Sequence, residues 1–329
     1  MKAVIINDFG GPEQLIYTDV PKPEPKGDEI LVRNQVIGVG KPDFLVRSGN
    51  DPYLAKNLPG LIVGNESSGI VEAVGPDATD FKPGDHVALL NGTGCGSHAE
   101  YSCGRQGFAI KLPDDIPFKD MAGILNLQVA YALIHDAAKG TDGESIYISG
   151  AAGGIGTVLI QIAKAAGMKV YCGASTERKC DVLRQIGAER VINTSEEDVA
   201  KVILECTSNR GVDVIFDQLA GPDFSNQFEY LADFGMILLY NWMKGSPELD
   251  QLATINKQAP HASAIRAFSY HVFDNKPERR RQNAEACFNL IREGKVKPFI
   301  YDDLPLSEAR TAHELLDGGE IIGKLIMHP

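Results

Sequence analysis

Ser145-Ile-Tyr-Ile-Ser-Gly-Ala-Ala-Gly-Gly-Ile-Gly156, continued by Thr-Val-Leu-Ile-Gln-Ile-Ala-Lys-Ala-Ala-Gly167, decides how this chain is read. A short apolar strand through Ile146 and Ile148 runs into a cluster of glycines. A helix follows, with Ile155, Val158, Leu159, Ile162, Ala163 and Ala166 on one face. Glycine lets the backbone turn sharply and approach a phosphate, and the amino end of a helix offers unpaired N–H groups and a partial positive charge. Strand, glycine turn and helix in this order form a dinucleotide-binding fingerprint, in which Gly150, Gly153, Gly154, Ile155 and Gly156 are the expected contacts. The plain alternative is a tight turn without ligand.

Working outward, the strand before the glycines and further strands at 169–173, 190–193, 212–216, 236–240 and 262–268 alternate with helical stretches at 177–186, 197–206 and 223–231. That pattern predicts a doubly wound parallel sheet of six strands. Residues 1 to about 120 instead change element every few residues, with strands expected at 2–7, 14–18, 29–39, 69–75, 85–90 and 98–103. Pro21-Lys-Pro-Glu-Pro-Lys-Gly27 cannot continue a sheet and reads as an extended connection. A helical region at 119–138 leads to the nucleotide unit, while helices at 278–293 and 306–316 and a strand at 324–327 follow it. The expected fold class is α/β: a β-rich domain over 1–122, a nucleotide domain over 123–268, and a segment 269–329 returning to complete the first domain.

At 329 residues the chain fits about two domains. A formal charge of -12 argues against a nucleic-acid footprint, and Arg279-Arg-Arg281 reads as a solvated helix face. No apolar run is long enough to cross a bilayer, and Met1-Lys-Ala-Val-Ile-Ile-Asn-Asp reads as a strand rather than a signal peptide, so a cytoplasmic location without membrane partner is expected. The cysteines at 95, 103, 172, 180, 206 and 287 contain no Cys-x-x-Cys pair. Neither a disulfide framework nor a zinc clip is written in that spacing.

The ordered set of motifs resembles the medium-chain dehydrogenase/reductase superfamily, and within it the zinc-independent quinone oxidoreductase branch. Glu29-Ile-Leu-Val-Arg33, Gly64-Asn-Glu-Ser-Ser-Gly-Ile-Val71, Lys82-Pro-Gly-Asp-His-Val87, Ala151-Ala-Gly-Gly-Ile-Gly156, Gly187-Ala188, Gly211-Val-Asp-Val-Ile-Phe216 and Gly323-Lys324 carry the likeness over essentially the whole chain. The resemblance implies a GroES-like β-barrel domain with the substrate pocket, a Rossmann domain, a cofactor between them and a homodimer. Zinc requires converging soft or imidazole donors and an open position. Here Gly40 stands at the family's first cysteine ligand, and Gly64-Asn65-Glu66 replaces the Gly-His-Glu of the zinc enzymes. Cys95 alone cannot replace the missing structural-zinc lobe. No metal is expected, and Glu66 is read as paired with a cation or a backbone N–H.

An NAD enzyme places a carboxylate at the end of the second strand, where it takes the ribose hydroxyls and repels a 2'-phosphate. Here Ala174-Ser-Thr-Glu-Arg-Lys179 follows, so hydroxyls and cations replace the expected acid. Ser175, Thr176 and Lys179 also match the family's phosphate positions, and NADPH is the predicted cofactor. Thr194 stands where the family has a tyrosine over the adenine ribose. The resemblance adds Lys324 to the cofactor contacts.

Metal-free hydride transfer needs an electrophilic acceptor, such as a quinone or an α,β-unsaturated carbonyl compound, and a donor for the developing oxyanion. The family's asparagine for that region is Gly40 here. Lys41 and Tyr53 are the candidate catalytic donors, against a solvated lysine and a packing tyrosine. Tyr240 and Asn241 follow the fifth strand at the edge where such sheets bind ligands, with Trp242 as a pocket wall beside Gly40 and Asn65; Ser149 and Asn126 are weaker candidates. An enoyl-thioester reductase is the alternative, since Val214-Ile-Phe-Asp-Gln-Leu-Ala-Gly221 resembles enoyl reductase domains. An NADPH-binding protein with little turnover, in an RNA-binding or structural role, and a zinc alcohol dehydrogenase are further readings. The strand at 262–268 would be an apolar edge for pairing with its twin.

Overall fold

Apolar runs broken by glycine and proline turns build the first part of the chain. The computed structural model describes residues 1–50, 58–90, 96–121, 123–140 and 143–329. It divides into two compact units, one of Met1–Leu125 with Pro298–Pro329 and the other of Asn126–Lys297.

In the first unit, strands β1 (Lys2–Ile6), β2 (Ile16–Asp19), β3 (Glu29–Val39), β4 (Leu61–Ile62), β5 (Glu66–Val74), β6 (His86–Leu90), β7 (Tyr101–Arg105) and β8 (Ala109–Lys111) come from the amino-terminal segment. A small sheet has the order β2-β1-β4. The long β3 pairs antiparallel with both β5 and β7, and its far end receives the last strand of the chain. Alternation along β3 drives Ile30 and Val32 into one cluster with Val71, Val87 and Leu89, while Ile37 and Val39 join Val4, Ile6 and Leu325 in another. Each such side chain removed from water contributes about 1.5–3 kcal/mol before chain entropy is charged against it. After β3 comes a helix not expected from the sequence, α1 (Lys41–Arg47). Pro42 near its start is pre-set for helix, and the Asp43 carboxylate accepts the Gly40 N–H at 2.7 Å.

The second unit opens with α2 (Ile124–Ala132), which begins at the boundary and widens into a π-helical turn over Leu133–Ala138. Strands β9 (Ser145–Ile148), β10 (Lys169–Ala174), β11 (Arg190–Asn193), β12 (Val212–Asp217), β13 (Leu231–Leu239) and β14 (Ala264–Ala267) form one parallel sheet in the order β11-β10-β9-β12-β13-β14. The expected six-stranded unit is therefore present, and its order reverses between β9 and β12. Helix α3 (Gly154–Ala165) buries Val158, Leu159, Ile162 and Ala163, the face read from the sequence. Helix α4 (Glu177–Ile186) starts on Thr176 and ends on Gly187, whose φ of 94° suits only glycine readily. Helix α5 (Val199–Cys206) precedes β12, and α6 (Gln251–Gln258) lies where no helix was expected. The helix expected at 223–231 is 3-10 over Phe224–Tyr230.

The tail departs from expectation in one respect. Helix α7 (Pro277–Arg292) belongs to the second unit, so the return begins at 298 rather than 269. Side chains fasten it there: Arg279 pairs with Asp136, the Arg280 carbonyl accepts from Gln128 Nε2 at 3.0 Å, and the Lys297 N–H reaches Gln161 at 2.8 Å. The first unit is then completed by β15 (Ile300–Pro305), α8 (Ala309–Asp317) and β16 (Lys324–His328). Among the described residues no helix is long and apolar enough to cross a membrane.

Candidate functional site

The glycine turn lies at the carboxyl end of β9, where the sheet order reverses. Gly150 has φ 58°, and a side chain there would meet Gln218 and Leu219. A Cβ at Gly156 would run into the Ala151 carbonyl, so α3 packs this closely only with glycine. At Gly153 the outcome is opposite: nothing lies within 4 Å of a Cβ built there. No side chain caps α3, whose N-cap is Gly153 itself. The open cradle and uncapped N–H groups of Gly154, Ile155 and Gly156 fit a pyrophosphate.

Beyond β10, Ser175 and Thr176 are exposed and Lys179 is half-buried. Thr176 accepts from the Lys179 N–H at 3.4 Å, which fixes the first turn of α4. Glu177, the one acid in this group, is held by Arg184 at 2.6 Å and by Asn193 at 3.4 Å, and the Arg184 bond keeps its carboxyl below the usual range. Ser195 donates to the Ser175 carbonyl at 2.9 Å. Thr194 gives its hydroxyl to the Ala174 carbonyl at 3.3 Å, so it is occupied with backbone.

After β13, the buried hydroxyl of Tyr240 has no hydrogen-bond partner, and burial pushes it well above the ordinary tyrosine value. Asn241 accepts from the Trp242 N–H at 3.0 Å, and Trp242 is 58% exposed. Ser149 is buried against Asp217, which the sequence reading left unassigned; an acid directly after Val-Ile-Phe at the end of the strand was its one local signal.

The first unit carries a second polar centre. Gly38 and Gly40 sit two apart on β3 and its continuation, with Glu66 opposite Gly38 and Lys324 beside Gly40. Over this lane without side chains the Lys324 ammonium and the Glu66 carboxylate form an ion pair, their side chains 9% and 8% exposed. Glu66 Oε2 has no partner. Asp43, also missed from sequence, accepts N–H groups from Gly40 at 2.7 Å and Asn65 at 2.8 Å. Burial raises its carboxyl to about 7, against the lowering effects of Lys324 and of those bonds. Nearby His98 is fully buried with neither ring nitrogen bonded, and burial lowers it to about 3. Lys41, half-buried at the start of α1, lies 3.8 Å from the Phe44 ring centroid, and burial lowers its pKa. Tyr53 and Cys95 fall outside the described residues. Among the described residues no three His, Cys, Asp or Glu side chains are grouped to hold a metal ion.

Comparison with known proteins gives this geometry a family. Residues 26–114 match the alcohol dehydrogenase GroES-like domain, and 154–275 match the zinc-binding dehydrogenase family. The quinone oxidoreductase of Homo sapiens is 32% identical over 331 residues, covering 99% of this chain and 97% of that protein. A 2-haloacrylate reductase of a Burkholderia species is 29% identical over 332 residues, covering 99% and 98%. The crystal structure of the Escherichia coli quinone oxidoreductase complexed with NADPH superposes with a TM-score of 0.90 at 26% identity, over all of both chains. The chain is thus an oxidoreductase and belongs to the quinone oxidoreductase branch of the medium-chain dehydrogenase/reductase superfamily.

Proposed function

We propose that the protein is an NADPH-dependent reductase that works without a metal and passes hydride to a quinone or an α,β-unsaturated carbonyl compound. The observation that carries this reading is the buried Lys324–Glu66 pair beside Gly40 and Asn65. At the positions where zinc enzymes supply thiolate and imidazole, this chain offers hydrogen and an amide, and the neighbouring carboxylate is already balanced by an ammonium. A relative crystallised with NADPH supports the cofactor, and one named for reducing 2-haloacrylate, an α,β-unsaturated acid, supports the acceptor class.

The cradle at 150–156 would hold the pyrophosphate, and Ser175, Thr176 and Lys179 the 2'-phosphate, with Glu177 drawn away onto Arg184. The free hydroxyl of Tyr240 and the amide of Asn241 remain for the nicotinamide half, whereas Lys324, expected to touch the cofactor, is taken up by Glu66. When bound, NADPH supplies the hydride. The oxyanion formed on the acceptor needs a proton donor, and Lys41 fits that role: burial makes its ammonium a stronger acid than a free lysine, and its partial exposure allows reprotonation from water.

Steady-state assays with NADPH and NADH against a quinone, an enone and a crotonyl thioester, with and without chelator, test the proposal. Turnover of the thioester alone would replace it with an enoyl-thioester reductase. Tight NADPH binding without oxidation by any acceptor would make the protein a binding module, and activity abolished by chelator and restored by zinc would overturn the metal-free reading. We also propose a homodimer through the edge strand β14, where Ile265 is 45% exposed; light scattering from a monomer would refute it.

A further inference from the structure

The acid at the end of β12 is an unusual place to bury a charge. Asp217 is 0% exposed, yet among the described residues no ion pair with its carboxylate is seen. Four neutral donors satisfy it instead. Oδ1 accepts from Ser149 Oγ at 2.5 Å and the Leu219 N–H at 2.9 Å, and Oδ2 accepts from the Ala220 N–H at 3.1 Å and Gln227 Nε2 at 2.8 Å. These donors come from both sides of the point where the sheet order reverses, the place where such sheets receive ligands.

The turn that Asp217 organises touches both segments assigned to the cofactor. On one side, Gln218 donates through Nε2 to the Gly150 carbonyl and through its backbone to Ser149 Oγ at 3.2 Å, while Leu219 packs against Gly150. On the other, the carbonyls of Asp217, Gln218 and Leu219 accept from the N–H groups of Tyr240 at 3.0 Å, Met243 at 3.0 Å and Lys244 at 2.8 Å. Ala220 is held at φ 51°, a left-handed conformation that alanine rarely adopts, and its N–H is one of the four donors.

We propose that Asp217 is a positioning residue of the cofactor site: its carboxylate fixes the distance between the glycine turn at 150–156 and the segment at 240–244, and so sets cofactor affinity. The inference rests on the NADPH reading above. An asparagine has the same shape but only one acceptor oxygen. It accommodates Ser149 by letting the hydroxyl accept, keeps Ala220 and Gln227, and leaves the Leu219 N–H without a partner beside Gly150.

The test is Asp217→Asn, with Asp213→Asn as control. Asp213 lies on the same strand at its other end, where it accepts from the Ser145 N–H at 2.8 Å and Ser145 Oγ at 2.9 Å and pairs with Arg210. Fluorescence titration of Asp217→Asn is expected to weaken NADPH and NADH by the same factor, about tenfold, which is about 1.4 kcal/mol. KM for NADPH rises with it, while kcat at saturation falls by less. Asp213→Asn lowers Tm with unchanged affinity. Equal affinity of Asp217→Asn and wild type, or equal weakening by both variants, would overturn the inference. If Asp217→Asn does not fold, Ser149→Ala removes one donor and is expected to weaken binding several-fold; no change would overturn the inference as well. Failure of the wild type itself to bind NADPH is a separate result that removes the cofactor reading and this inference with it.

Discussion

Asp43 should make stability respond to pH in a direction opposite to that of most carboxylates, and replacing it with asparagine should remove that response. The Asp43 side chain is 1% exposed, and two influences compete for it. The Gly40 and Asn65 N–H groups and the Lys324 ammonium favour the anion, but burial outweighs them and raises the carboxyl from 3.8 to about 7. A carboxyl raised in the folded state holds its proton where the unfolded chain has already released it. Its contribution to stability is therefore complete below the unfolded value and drains away as pH climbs through about 7. The distance from 3.8 to about 7 corresponds to about 4 kcal/mol. Asparagine does not titrate, and it turns an NH2 toward one of the two backbone N–H groups, a loss of about 1–3 kcal/mol. Wild type should thus exceed Asp43→Asn in stability by that amount near pH 5, and the gap should close or reverse near pH 8. The only tryptophan, Trp242, lies in the other unit, so its fluorescence reports the wrong transition. Hydrogen exchange of β3 and β5 peptides across the pH range reads the relevant one. A gap that stays constant or widens with pH would show that the hydrogen bonds and Lys324 win over burial, and would refute the reasoning.

Further outcomes follow from the same geometry. Lys41→Met should lower kcat by about a hundredfold while leaving NADPH affinity intact. In the wild type, kcat should fall on the alkaline side through a value below the ordinary 10.5, because burial lowers the Lys41 pKa and only the ammonium donates; a pH profile flat to 10.5 would count against the role. Ser175→Asp sets a carboxylate against the 2'-phosphate and should shift the preference from NADPH toward NADH by about tenfold or more, read as the ratio of the two kcat/KM values. Gly38→Ala places a Cβ 2.6 Å from Glu66 Oε1 and 2.7 Å from its Cγ, too close for either to stay. Pushing Glu66 off Lys324 separates a buried pair at a cost of about 3–5 kcal/mol, seen as a lower Tm; an unchanged Tm would mean that the pair simply re-forms elsewhere.

What was legible in the sequence was what short-range chemistry specifies. The glycine turn, the apolar face of α3, the Thr176 start and Gly187 end of α4 and the six parallel strands each rest on residues within a turn or two of one another. Pro42 and Asp43 suit the start of α1, but no helix was expected directly after the strand at 29–39. The helix 277–292 carries an amphipathic pattern that says it packs, though not on which unit; distant contacts such as Arg279 and Asn283 with Asp136 and Gln128 with the Arg280 carbonyl decide that. Glu66 reads as a paired carboxylate from sequence, but which residues meet in the polar centres was out of reach for a stronger reason. Asp217 and Ser149 are 68 residues apart, and Lys324 and Glu66 are 258 apart. Nothing local in Gly-Asn-Glu-Ser or in Gly-Lys-Leu marks those two side chains as partners. They become so through sheet register: β16 aligns Leu325 with Val39, β5 aligns Glu66 with Gly38, and the two glycines on the strand between them share one face. Glycine inside a strand weakens it when the strand is considered alone. Here the missing side chains open the lane across which an ammonium reaches a carboxylate, and the positions that look like a metal site stripped of its ligands are the ones that let the protein place a lysine cation there.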